Sequence, residues 1–168
     1  MPSGLHRALL RVFRWLPPRA RRVTVRTIAP SFTVGAMALI ERADGRVLLV
    51  RQVYRERWGV PGGLLDRGEG PADAVRREIL EEVGLDIELV SEAAVVVEPG
   101  PRRVDLAFHA RPTDDGRADD ARPTSPEISA VAWFSPDALP ELQPETVMAL
   151  TALGRADTAV RPAGREAS

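Results

Sequence analysis

The 168 residues contain no cysteine, which excludes disulfides and thiolate metal sites. Lysine is absent as well, since all 23 basic residues are arginine. That usage reflects GC-rich coding rather than the demands of a site, and it points to a bacterial source. No stretch approaches the roughly 18 apolar residues that span a bilayer. Aromatic residues are only 5% of the chain, and no interleaved aromatic set offers single-stranded nucleic acid a stacking platform. No internal repeat is visible, which argues against a solenoid. What remains suits one soluble domain: 44% hydrophobic and 28% charged residues, in a chain long enough for a sizeable core.

The net charge of −1 conceals an asymmetry. Residues 1–40 hold seven arginines and no acid; the remainder holds sixteen arginines and 24 acids. A basic arm of this kind suits an anionic partner. Within it, residues 4–16 place Leu5, Leu9, Val12, Phe13 and Leu16 at helical spacing, with Arg7, Arg11 and Arg14 opposite, and Pro17-Pro18 ends the pattern. Such a helix packs on its own domain or on a second copy, as a homodimer, or lies on an anionic membrane surface; packing is the commoner use. An export signal is rejected, because arginines break the apolar run and no small-residue cleavage site follows, so a cytoplasmic location is expected. Residues 1–30 thus read as a basic amphipathic helix and connector. In the connector, Arg19, Arg21, Arg22 and Arg26 could neutralise nucleic-acid phosphates.

Regular structure is expected over residues 31–154. The runs FTVGAMALIER and RVLLVRQVY, separated by Ala43-Asp44-Gly45, read as a hairpin. Residues 86–98 and 102–112 are strand-like and are joined at Pro99-Gly100-Pro101. His109, in the second of these, reads as a structural residue. Residues 112–126 are polar and aperiodic, and read as a mobile surface loop with a possible role as a lid. Glu127–Phe134 is a last strand, Ser135-Pro136 opens a short turn with Ser135 as N-cap, and residues 143–154 form a final helix. Residues 155–168 are expected to be a disordered tail. The fold class is α/β, with a mixed sheet flanked by helices in α/β/α layers.

The most informative stretch is Trp58–Leu85, WGVPGGLLDRGEGPADAVRREILEEVGL. Pro71 suits a first helical turn and Gly84 a C-terminal cap. Between them Ala72, Val75, Ile79 and Val83 share one buried stripe. Glu78 and Glu82 are i and i+4, and Glu81 is i+3 from Glu78, so three carboxylates lie along one edge of a short helix. Charge runs are common on solvated helix faces. Where such an edge dries out, a hard divalent cation compensates the repulsion: Mg²⁺ takes oxygen ligands and keeps waters that a substrate phosphate replaces. The tight backbone at Pro61-Gly62-Gly63 lets main-chain groups approach a ligand closely.

The run Gly63-x5-Glu69-x7-Arg77-Glu78-Ile79-x-Glu81-Glu82-x-Gly84-Leu85 resembles the signature of the Nudix hydrolases, with every defined position filled. The resemblance implies a Nudix-type α/β/α sandwich with a mixed central sheet. It also implies Mg²⁺-dependent hydrolysis of a diphosphate linkage in a nucleoside diphosphate derivative, with Mn²⁺ as substitute. Glu78 and Glu82 would hold the metal with Glu81 next, Gly63 as a backbone neighbour and Glu69 as an outer ligand. Arg77 would orient the carboxylates or bind phosphate. Glu127, an acid ahead of a Trp-Phe pair, would be a further ligand or the base, or else a surface carboxylate. Arg51, Arg55 and Arg57 are candidates for the substrate's phosphates. Tyr54, Trp58, Phe108 and Trp133 are candidates for stacking on a base, although packing explains most such aromatics. Two other readings are a Nudix-fold binding or regulatory module without catalysis, which loss of signature acids would mark and none is lost, and a membrane- or nucleic-acid-associated protein led by its basic arm.

Overall fold

The computed structural model describes residue 17 and residues 31–154. The expected N-terminal helix, the basic connector and the C-terminal tail lie outside the described residues, and with them the suggested membrane and nucleic-acid contacts. The chain divides between Phe32 and Thr33 into two units, and the second carries the fold described below.

Among the described residues seven strands and two α-helices follow one another: β1 (Thr33–Ile40), β2 (Val47–Gln52), β3 (Gly62–Leu64), α1 (Pro71–Val83), β4 (Ile87–Leu89), β5 (Ala94–Glu98), β6 (Arg103–Pro112), β7 (Ile128–Phe134) and α2 (Pro144–Ala152). β1 is the hub. It pairs antiparallel with β3 and parallel with β6, and both β4 and β5 pair antiparallel with the far side of β6. β2 and β7 form a second, antiparallel sheet. Among the described residues no helix is long and apolar enough to cross a membrane.

β1 is apolar at every residue from Ala36 to Ile40 because both its faces are covered. Ala36, Ala38 and Ile40 meet Val75, Ile79 and Val83 of α1. Met37 meets Ala149 of α2, and Leu39 joins Leu142 and Leu150. The period of two therefore sends alternate residues into two helical layers, which is the α/β/α sandwich expected from sequence. The stripe on α1 is buried as its spacing requires, with Val75, Ile79 and Val83 fully inaccessible. α1 starts at Pro71 and stops at Gly84, whose positive φ of 68° turns its N–H back onto the Leu80 carbonyl at 3.0 Å.

Three expectations are corrected. β1 and β2 do not form a hairpin. The Ala43–Gly45 turn forms and Glu41 bridges Val47, but the strands then diverge into separate sheets. Hydropathy alternation marks a strand's faces, not its neighbours. Residues 86–98 are two strands rather than one. Both run along β6, but at Ser91 the side-chain Oγ accepts the His109 N–H at 3.0 Å, so the ladder is interrupted there. Residues 112–126 are tied down. They contain a 3-10 turn at Asp115–Asp120, capped by Asp114, with Ala118 buried. Arg42 grips Asp119 at 2.7 Å, and Thr124 donates to the Glu81 carbonyl at 2.7 Å. None of these residues lines the cavity described next, so they do not form a lid over it. Ser135 does sit at an N-cap, although its side chain makes no capping bond.

Candidate active site

α1, β3 and Glu127, the residue before β7, enclose one side of a cavity of about 740 Å³. Its floor is the Gly62–Gly63 pair, pinned to β1 by the pairs Met37–Gly62 and Ala36–Gly63. Gly62 has φ +148°, and a Cβ there would strike the Ala36 carbonyl and the Met37 backbone. A Cβ on Gly63 would fall on the Glu78 carboxyl group. Glycine at 63 is thus what lets the Glu78 carboxylate lie against the backbone of β3.

Glu82 is the buried acid, only 6% exposed in a helix otherwise buried through apolar residues. The Gly62 N–H donates to its Oε2 at 3.1 Å. Burial pushes its pKa up to about 7; the Gly62 hydrogen bond opposes that, and the charges of Glu78 and Glu127 add to it. Glu78, Glu82 and Glu127 all line the cavity. Glu81 does not: its side chain is 61% exposed and reaches only Arg77, at 3.5 Å.

Arg77 is the clamp behind this edge. Its Nε and Nη2 fork onto the two oxygens of Glu69, each at 2.9 Å. Nη1 donates to Glu78 Oε1 at 3.0 Å, and Nη2 also to the Leu64 carbonyl at 3.2 Å. Glu69 in turn accepts the Asp66 N–H at 2.9 Å. The Arg77 hydrogen bonds, then that backbone bond, hold the Glu69 pKa down at about 2, and Arg77 itself is raised. Glu69 is thus committed to Arg77 and lies off the cavity, while Arg77 fixes the rotamer of Glu78.

The arginines ahead of the signature part company. Arg55 lines the cavity and pairs with Glu145 at 2.6 Å. Arg57 pairs with Glu141 outside it, and Arg51 lies over the Trp58 ring at 5.3 Å. Trp58 packs edge-on against Phe134, centroids 4.9 Å apart. Phe108 is buried in the core beneath α1, and Trp133 donates to the Ala118 carbonyl at 3.0 Å. Tyr54 alone of the four stacking candidates lines the cavity. His109 bonds Glu41 at 3.1 Å.

Glu98, Arg103, Gln143, Glu145 and Thr146, none of them a candidate from sequence, also line the cavity. One signal was there: Arg103 and Asp105 are i and i+2 in an apolar strand, so they share a face.

The donor set fits a hard divalent cation. Five glutamates, Glu78, Glu82, Glu98, Glu127 and Glu145, open onto one cavity and Glu82 among them is buried, although among the described residues no three acids stand close enough together to hold an ion as they are. Such an ion would share these carboxylates with water and substrate phosphate, as Mg²⁺ characteristically does.

Comparison with known proteins identifies the family and the fold. The family model described as the NUDIX domain matches residues 31–151. The MutT-like protein of Streptomyces ambofaciens is 32% identical over 137 residues, 80% of this chain and 86% of that protein. The crystal structure of a MutT NUDIX hydrolase from Burkholderia pseudomallei superposes with a TM-score of 0.61 at 30% identity, covering 74% of this chain and 99% of its own. That of an ADP-ribose pyrophosphatase from Streptococcus suis gives 0.60 at 28% identity, covering 81% and 97%. The matched span contains every residue that lines the cavity, and the chain belongs to the Nudix hydrolase family.

Proposed function

We propose that this hydrolase cleaves the diphosphate linkage of a nucleoside diphosphate derivative, with Mg²⁺, or Mn²⁺ in its place, held by Glu78 and Glu82. The observation that carries the reading is the Glu82 carboxylate. It is buried, bonded to the Gly62 N–H, and faces the charges of Glu78 and Glu127 in one cavity. Acids gathered this way in a partly dry site are costly without a cation.

The ion, when bound, supplies positive charge to the phosphoryl oxygens and acidifies a bound water. The chain's own residues do the rest. Gly63 leaves room for Glu78 at the floor, and Arg77 holds Glu78 in place from behind. Glu81 steadies Arg77 from the solvent side. Glu127, exposed at the cavity wall, takes the proton of the attacking water as its oxygen bonds to phosphorus and the bridging P–O bond breaks. The Streptococcus suis neighbour, named for ADP-ribose, supports a nucleotide sugar as one member of the substrate class.

Glu82→Gln tests the assignment. It removes one charge and no core contact, so turnover should fall by roughly three orders of magnitude or more with the fold intact, since metal charge stabilisation is worth several kcal/mol. Glu81→Gln, off the cavity, should cost far less. Activity of Glu82→Gln within about tenfold of wild type would overturn the metal assignment.

A further inference from the structure

The cavity has a second end. β3 and β6 both flank β1, so Asp105 on β6, opposite Gly35, stands two strand spacings from Leu64 of β3, about 10 Å across the sheet. Asp105 is completely buried, and it accepts from Arg103 Nε at 2.6 Å and Nη2 at 2.7 Å. Gly35, its register partner on β1, makes room for the pair: a Cβ there would collide with both side chains. A planar fork pinned to a buried carboxylate is pre-organised, and it leaves Nη1 to serve a ligand.

Charge then decides what that ligand is. Glu98 and Glu145 line the same cavity as Arg103, and Glu145 is matched by Arg55 at 2.6 Å. Once both arginines are paired with acids, Glu98 is left over. The wall has no surplus positive charge for an anion. It does offer N–H donors and carboxylate acceptors to a neutral group that carries both.

We infer that this end of the cavity takes the uncharged part of the substrate, nucleoside or sugar, with Arg103 as the residue that grips it and Asp105 and Gly35 as positioning residues. The inference rests on the hydrolase reading of the cavity, with the phosphates lying towards the glutamates.

The test is a ligand-observed NMR titration of the full chain in EDTA with adenosine, guanosine, ribose and inorganic pyrophosphate. Adenosine, guanosine or ribose should bind, and pyrophosphate should not; preference for ribose or for the nucleosides tells which source fills the subsite. Arg103→Lys keeps the charge and loses the fork, and should weaken the neutral ligands by tenfold or more. In turnover with Mg²⁺ it should raise KM by a similar factor while kcat falls far less. Glu98→Ala removes a carboxylate acceptor from the same wall and leaves the Arg103 fork intact, so it should also weaken the neutral ligands, which keeps the inference testable if Arg103→Lys does not fold. The inference is overturned if no neutral ligand binds wild type, if wild type binds pyrophosphate without metal and loses it in Arg103→Lys, if a folded Arg103→Lys leaves KM unchanged, or if a folded Glu98→Ala binds the neutral ligands as tightly as wild type. Neutral-ligand binding in a chain without metal-dependent turnover would instead contradict the hydrolase reading alone.

Discussion

Arg77 and Glu69 show how single side chains brace this site without entering it. The charged form of Glu69 is stabilised by the Arg77 fork and the Asp66 N–H, which lowers its pKa from 4.5 to about 2 in the folded chain. A depressed folded-state pKa contributes stability that is fully present above about 4.5 and is lost as pH falls towards 2. Urea unfolding at pH 6 and pH 3 should therefore show a smaller drop for Glu69→Gln than for wild type; equal drops would mean that the pair contributes nothing. Arg77→Lys keeps the charge but cannot fork onto Glu69 while also reaching Glu78. Turnover should fall by about 10–100-fold, the usual cost of losing a group that orients a metal ligand, with the melting temperature little changed. The different fates of Glu81 and Glu82 were legible in the helical period. Steps of about 100° carry Glu82 from Glu78 towards the buried stripe and carry Glu81 away from it. Which acid another strand would meet was not legible, because Gly62 and Glu127 reach Glu82 only through tertiary packing.

The elements divide in the same way. α1 was readable from end to end, since Pro71, Gly84 and the Val75–Ile79–Val83 stripe are local signals. β3 was not readable as a strand, since Gly62-Gly63 carries a turn signal; the other strand segments were readable as strands but not as partners. β1 and β2 share a turn and then part, and Ser91 breaks a run whose hydropathy hides the interruption. α1 is held by its stripe, so Ile79→Ala, at a fully buried site, should cost about 2–5 kcal/mol in denaturant unfolding. A loss under about 1 kcal/mol would mean that the α1 layer is not packed as described. Because the stripe also seats Glu78 and Glu82, that variant should lose Mg²⁺ affinity along with stability.

Across the whole molecule, the cavity draws on β3, α1, the start of β6, the residue before β7, and α2. The contiguous Gly62–Glu82 portion was read from sequence, as were Tyr54, Arg55 and Glu127 among the candidates around it. Arg103, Glu98 and Glu145 are brought in by strand order and helix packing, which no local pattern encodes. The central proposal is that the glutamate edge of this cavity cleaves a diphosphate linkage with a divalent cation. Product chromatography on a panel of nucleoside diphosphate derivatives, each with Mg²⁺ and with EDTA, tests it most directly. The account predicts cleavage at the diphosphate linkage of at least one member, with Mg²⁺ and not with EDTA. A folded, Mg²⁺-loaded protein that cleaves no member, or one that cleaves equally well in EDTA, would contradict it.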